Sequence, residues 1–238
     1  MRGALDHIQT LVSSDTRSCV AFATVHGIME SQRCATLKSA FNEICLTLPD
    51  GMPLVWAGRL RKRRGMGRVY GPQFMLEMAR LSVAEGYTHF LYGGKAGIAN
   101  RLRSVLEARF PGIRIVGTCT PPFRPLETGE REALVQHIAG IRPDFFWVGL
   151  GTPKQERFMA EFVGRLETRV MLGVGAAFDV HTEVVREAPP WMMAAGLQWL
   201  FRITQEPGRL WKRYILNNPL FVMKFIEQLL SEIKKQGR

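Results

Sequence analysis

Apolar residues follow two rhythms along this chain. Short, nearly unbroken apolar runs recur at CVAFATV (19–25), EICLTL (43–48), THFLYGG (88–94), IRIVGT (113–118), DFFWVGLG (144–151) and RVMLGVGAAF (169–178). Between them lie stretches such as GPQFMLEMARLSVAEG (71–86) and AGIANRLRSVLEARF (96–110), whose apolar positions return every three or four residues. The first rhythm predicts strands buried on both faces, because a strand with one wet face alternates apolar with polar. The second predicts amphipathic helices. Their alternation predicts an α/β fold, a Rossmann-like and mostly parallel sheet with helices on both faces. There is no internal repeat of fixed period and no low-complexity tract.

The pattern changes after about Ala188. Residues 188–238 hold no strand-like run, and they carry eight Lys or Arg against three Glu together with Trp191, Trp199, Trp211 and Tyr214. Two units are therefore expected: a catalytic Rossmann-like domain at 1–187 and a basic, aromatic-rich helical appendage at 188–238. Aromatic rings mixed with cations suit an anionic membrane surface, where rings lie at headgroup depth and cations meet phosphate. A helix pair packed on the core with a solvated basic face is the plainer alternative.

Composition narrows the functional classes. With 238 residues and 46% hydrophobic content the chain can bury one substantial core. A formal charge of +11 favours an anionic partner without choosing between nucleic acid, lipid and a phosphorylated small molecule. Cys19, Cys34, Cys45 and Cys119 show no CxxC spacing and are expected as reduced thiols, which suits the cytoplasm. MRGALDHIQT lacks the apolar core of a signal peptide, and no apolar run reaches the length of about 18 residues that spans a bilayer. Membrane contact is thus expected to be peripheral.

Several predicted strands end in glycine, at Gly93 and Gly94 before Lys95, at Gly149 and Gly151, and in LGVGAAFD (172–179). Ligands of doubly wound sheets gather at such strand ends, where backbone N–H groups approach phosphate closely. The three turns together suggest a nucleotide or phosphate pocket. A nicotinamide oxidoreductase is disfavoured, since Gly93, Gly94 and Gly97 miss the GxGxxG spacing and IRIVGT ends without an acid. GGKAG is not a Walker A loop, and neither a metal-binding His/Cys set nor a GxSxG elbow occurs. GTPKQERF puts Pro153 at an expected first helical position, with Lys154, Gln155, Glu156 and Arg157 in the first turn, where a polar cluster can hold a sugar hydroxyl or a diphosphate. Asp50, in LPDGMPLVWAGR, reads first as an Asp-Gly turn or helix cap, with a catalytic base as the lesser reading from these residues alone. Six cations and no acid follow it between Arg59 and Arg68. Cations beside a carboxylate are expected to keep it ionised and lower its basicity.

LPDGMPLVWAGR, RVYGPQFM, HFLYGGKAG, VGLGTPKQERFM, GVGAAFDV and WLFRITQEPGRLWKRY, in this order, resemble the WecG/TagA/CpsF family of bacterial glycosyltransferases over roughly residues 24–221. The resemblance implies an inverting, metal-independent transfer of a sugar of the N-acetylmannosamine, N-acetylmannosaminuronate or glucose type. The donor would be a UDP-sugar and the acceptor a polyprenyl-diphosphate-linked saccharide at the inner membrane face. No cofactor is implied. It makes Asp50 the general base, with Thr24 and Gln155 in the active site. It gives Arg202, Arg209, Lys212 and Arg213 of the appendage to the substrate, with His26 standing where the family more often has Asn. The site is then expected to stay incomplete until the appendage folds over it. TVHGIMES and DGMPLVW resemble the exopolysaccharide-type members. A basic nucleic-acid-binding protein remains the alternative from another class, although it leaves the glycine turns unexplained. Oligomeric state stays open, a homo-oligomer included.

Overall fold

The computed structural model describes residues 1–14, 16–43, 45–63 and 65–236. Along the chain run α1 (Arg2–Ser13), β1 (Ser18–Ala23), α2 (Val25–Arg33), α3 (Ala35–Glu43), β2 (Cys45–Pro49), α4 (Met52–Leu60), α5 (Gly71–Glu85), β3 (Thr88–Gly93) and α6 (Ile98–Arg109). There follow β4 (Arg114–Cys119), α7 (Thr128–Ile141), β5 (Phe145–Gly149), α8 (Lys154–Phe162), β6 (Val170–Gly173), α9 (Ala177–His181), α10 (Pro190–Ala194), α11 (Gln198–Gln205) and α12 (Pro207–Gln236). All six apolar runs became strands, and they form one sheet in the order β2-β1-β6-β5-β3-β4 with every pair parallel.

Side-chain alternation explains why the central strands are apolar throughout. The expectation of burial on both faces is corrected at the edge strand β4, where Arg114 and Val116 are exposed because no strand or helix among the described residues covers that side. Phe145 and Trp147 on β5 pack into the cluster that includes Phe74 and Met78 of α5 and Leu102 of α6. Phe146 and Val148, their neighbours, point the other way onto Ile138 of α7 and Phe158 and Phe162 of α8. Each fully buried side chain of this size contributes about 1.5–3 kcal/mol. One cysteine expectation needs correcting: Cys19 is disulfide-bonded, whereas Cys34 and Cys119 are free. Parallel pairing sets Cys19 opposite Cys45, a proximity that 25 intervening positions hide from the sequence. The side chain of Cys45 lies outside the described residues.

Topology locates the crevice. The connection from β3 passes through α6 to β4 at one edge, while the connection from β5 passes through α8 towards β6 in the opposite direction. Where crossovers diverge, the carboxyl ends of the strands leave a cleft. Three C-terminal helices lie beside it, with α12 packed on α2 and α11. On α12, Leu210 and Asn217 face the body, whereas Trp211, Ile215, Val222, Ile226 and Leu230 are exposed. No helix among the described residues is long and apolar enough to cross a membrane.

Candidate active site

β1 and β2 end side by side, with Ala23 opposite Pro49, so Thr24 and Asp50 leave the sheet together. The Ala23 carbonyl accepts from the backbone N–H groups of Asp50 at 2.9 Å and Gly51 at 3.3 Å. A Cβ on Gly51 would sit 3.7 Å from Thr24 Cα, so the two turns are in van der Waals contact. Thr24 Oγ1 accepts from Gly27 N–H at 3.3 Å and caps α2, which leaves its hydroxyl proton as a donor.

Asp50 is held from three directions. Arg68 donates from its Nε to the Asp50 carbonyl at 2.6 Å and from Nη2 to Asp50 Oδ1 at 3.1 Å. The carboxylate also accepts from the N–H of Gly71, at the N-terminus of α5, where the helix dipole favours negative charge. Burial acts against both. It raises the Asp50 pKa above its ordinary value, with Arg68 and the more distant Arg202 pulling it down by less. The expectation that neighbouring cations lower the basicity of this carboxylate is thereby corrected: desolvation outweighs them. The side chain keeps 17% exposure, enough to meet a substrate.

Arg68 connects the carboxylate to the C-terminal helices. Its Nη2 also donates to Gln198 Oε1, on the first residue of α11, and Gln198 Nε2 donates to the Tyr70 hydroxyl at 2.8 Å. The Arg68 guanidinium lies 4.5 Å from the centroid of the Tyr70 ring. Neither Arg68 nor Gln198 was singled out in the sequence. Arg68 ends a basic run that reads as a solvated loop, and its signal was its place immediately before RVYG, where the chain turns into α5.

Across the crevice, glycine backbones replace side chains. Gly93 has φ 134°, and a Cβ there would come within 2.6 Å of the Gly149 backbone, so β3 and β5 end in direct backbone contact. Gly94 N–H donates to the Gly149 carbonyl at 3.0 Å. Lys95 and Lys154 are exposed beside these turns, and Gly151 takes a positive φ of 73°. Helix α8 starts at Lys154, one residue after the expected position, with Pro153 as its N-cap.

Gln155 and Glu156 are each only 2% exposed, so this is no solvated helix start. Gln155 Nε2 donates to the Gly173 carbonyl at 2.9 Å and to Glu156 Oε1 at 3.1 Å, and Thr152 Oγ1 donates to the same Oε1 at 2.9 Å. Gln155 Oε1 and Glu156 Oε2 are buried acceptors with no partner among the described residues. Burial raises the Glu156 pKa, with Thr152, Gln155 and Arg213 opposing. Such orphaned atoms are rare and costly, and a bound hydroxyl or amide satisfies them.

His26 joins the two sides. Its Nδ1 accepts from Asn217 Nδ2 of α12 at 3.1 Å, and the Thr152 backbone beside the ring favours its protonated form. Burial and the charges of Arg213 and Arg33 depress its pKa to about 4, against the pull of Glu30, so it is neutral at pH 7. Arg33 donates to Asn217 Oδ1 at 3.1 Å. The appendage cations separate: Arg202 acts on Asp50, Arg213 on His26 and Glu156, and Lys212 lies on the exposed face of α12 with its ammonium 5.5 Å from the Trp211 ring centroid. The side chain of Arg209 lies outside the described residues, as does all of Arg64.

A carboxylate with a raised pKa, backbone turns suited to phosphate and cations facing both are the parts that group transfer from a phosphorylated donor requires. The family described as glycosyl transferase WecG/TagA/CpsF matches residues 1–235. A Bacillus subtilis (strain 168) protein named N-acetylglucosaminyldiphosphoundecaprenol N-acetyl-beta-D-mannosaminyltransferase is 30% identical over 181 residues, covering 76% of this chain and 68% of its own. With its motifs gathered at one sheet edge and the match running nearly end to end, the chain belongs to the WecG/TagA/CpsF family and is a glycosyltransferase.

Proposed function

We infer that the protein transfers a sugar of the N-acetylmannosamine class from a UDP-sugar to a polyprenyl-diphosphate-linked saccharide, with inversion and without a metal. The sugar and the acceptor class rest on the name of the Bacillus subtilis relative, an N-acetyl-beta-D-mannosaminyltransferase acting on N-acetylglucosaminyldiphosphoundecaprenol, and the UDP-sugar donor on the family resemblance and on the glycine turns suited to a diphosphate. The observation that carries the mechanism is Asp50, raised in pKa by burial yet still 17% exposed, between Arg68 and the N-terminus of α5.

In this reading the Asp50 carboxylate takes the proton of the acceptor hydroxyl as that oxygen attacks the anomeric carbon. The bond from that carbon to the nucleotide's diphosphate breaks on the opposite face, which inverts the centre. General-base help of this kind is worth about 10²–10⁴ in rate. Charge that develops on the leaving UDP is met by the N–H groups around Gly94 and by Arg202 and Arg213, which supply the positive field that a divalent ion supplies elsewhere. Gln155 and Glu156 offer their two unpartnered acceptors to donor hydroxyls or to an acetamido N–H. Helices α11 and α12 complete the site, a reading supported by the bonds from Gln198 to Arg68 and from Asn217 to His26. The exposed apolar stripe of α12 supports peripheral attachment to a membrane.

The test is incubation of the full chain with UDP-N-acetylmannosamine and a short-chain polyprenyl-diphosphate N-acetylglucosamine. Formation of a disaccharide-lipid with release of UDP is expected, and removal of residues 188–238 abolishes it. Absence of product with every UDP-hexosamine would overturn the reading.

A further inference from the structure

The segment that returns from α4 to Arg68 forms a cationic pocket that the transfer mechanism does not use. Helix α4 begins two residues after Asp50 and, at nine residues, carries the chain about 13 Å outward. The following loop folds back along it. Arg63 N–H donates to the Gly58 carbonyl at 3.0 Å, and Met66 packs so closely on Gly58 that a Cβ there would overlap its sulfur. The loop ends by handing Arg68 to Asp50. Between helix and loop opens a pocket of about 680 Å³ lined by Arg59, Lys62, Arg63, Gly65, Met66 and Gly67.

No carboxylate lines this pocket, and among the described residues Arg59, Lys62 and Arg63 form no ion pair. Arg61, which turns away to pair with Glu232 on α12, is the neighbour that does. Helix-dipole compensation accounts for a cation or two at the end of α4, but not for a concave cluster of three. Lys62 sits in the left-handed region at φ 55°, the position after a helix where glycine is usual, as Arg142 does after α7. The Arg61–Glu232 pair brings the far end of α12 alongside the end of α4, next to exposed Leu60, at 69%.

We propose that this pocket binds the diphosphate of the lipid-linked acceptor, between the acceptor sugar at Asp50 and the prenyl chain on the outward face of α12. The assignment rests on the proposed acceptor class. A hexose followed by its diphosphate covers the length of α4, so the phosphate charge meets Lys62 and Arg63 when the sugar hydroxyl is at the base. The donor's diphosphate is held separately, at the glycine turns.

The test is binding of geranyl diphosphate to the full chain, followed by calorimetry, in wild type and in the Lys62→Gln/Arg63→Gln double variant. Loss of two partly exposed charge contacts should weaken it about tenfold while UDP binding stays unchanged. Lys62→Gly should raise the thermal midpoint and still weaken geranyl diphosphate, an opposition that a merely structural lysine does not produce. Co-sedimentation with phosphatidylcholine vesicles, with and without phosphatidylglycerol, should be the same for wild type and double variant. Wild type failing to bind geranyl diphosphate, equal affinity in the variants, or a parallel fall in UDP binding would each overturn the proposal. So would a defect confined to the phosphatidylglycerol vesicles, which would assign the pocket to lipid headgroups. Loss of geranyl diphosphate binding in a protein that transfers no sugar would uphold the diphosphate site and remove the transfer reaction instead.

Discussion

The two walls of the crevice each hold a carboxyl whose pKa burial has raised, yet their surroundings prepare them for opposite tasks. Asp50, on the β1–β2 wall, retains an opening to the cleft, an arginine on one oxygen and a helix N-terminus behind it. Glu156, on the β5–β6 wall, is closed in by Thr152 and Gln155 and has lost almost all contact with water. Desolvation raises both groups, but only Asp50 combines cationic support for its ionised form with access to a substrate. A base must lose its proton before it can accept another, whereas a carboxyl that positions a donor serves as well uncharged. Direction of a pKa shift therefore does not separate a base from a binding group. Access and charge-assisted partners do.

Replacing each carboxyl by its isosteric amide is the sharpest way to break this comparison. Asp50→Asn is expected to lower kcat about 10²–10⁴-fold, the share that general-base help supplies, with UDP affinity near wild type. Arg68→Met comes next. It removes charge-assisted bonds to Asp50 and Gln198 and should cost about 10–100-fold in kcat at pH 7. Asn217→Leu strips His26 Nδ1 of its donor and Arg33 of its acceptor. It should cost about 1–3 kcal/mol in urea unfolding and raise the donor KM as Arg213 loses its register. Glu156→Gln should be the mildest, raising the donor KM about three- to tenfold with kcat near wild type, because the amide keeps the shape and one oxygen for Thr152 and gives up a single binding acceptor.

The His26 latch adds a pH window to the same comparison. His26 is depressed from 6.5 to about 4 in the fold, so the unfolded chain binds its proton first. Stability present above pH 6.5 is therefore lost as pH falls towards 4, and buried His89, depressed by its own desolvation to about 4, adds to the loss. A urea midpoint that falls over this interval is expected, and one that stays flat would contradict the neutral latch.

Much of the fold was legible because strands buried on both faces leave a local mark. The four central strands β1, β3, β5 and β6 carry their burial in consecutive residues, whereas IRIVGT became the edge strand β4, with Arg114 and Val116 exposed between buried Ile113 and Ile115. Asp50 and Gln155 were legible for a related reason, since each follows a strand within a few positions. What pairs with them was not. Arg68 meets Gln198 across 130 positions and His26 meets Asn217 across 191, and no periodicity in a single chain records such a meeting. The burial of Glu156 was hidden too, because a Lys-Gln-Glu-Arg turn is composed like a solvated one. Its closure depends on the packing of α8 against β6 and α3 and on the bonds from Thr152 and Gln155.

The central claim is that Asp50 accepts the proton with a basicity that burial raises and Arg68 restrains. The kcat/KM profile against pH, measured for wild type and Arg68→Met, tests it most directly. The account predicts that wild-type activity rises with pH through a single ionisation above the ordinary carboxyl value of 3.8. It also predicts that this limb moves further up in Arg68→Met, which loses the cation opposing desolvation. A limb at the ordinary carboxyl value, or one that Arg68→Met leaves in place, would contradict it.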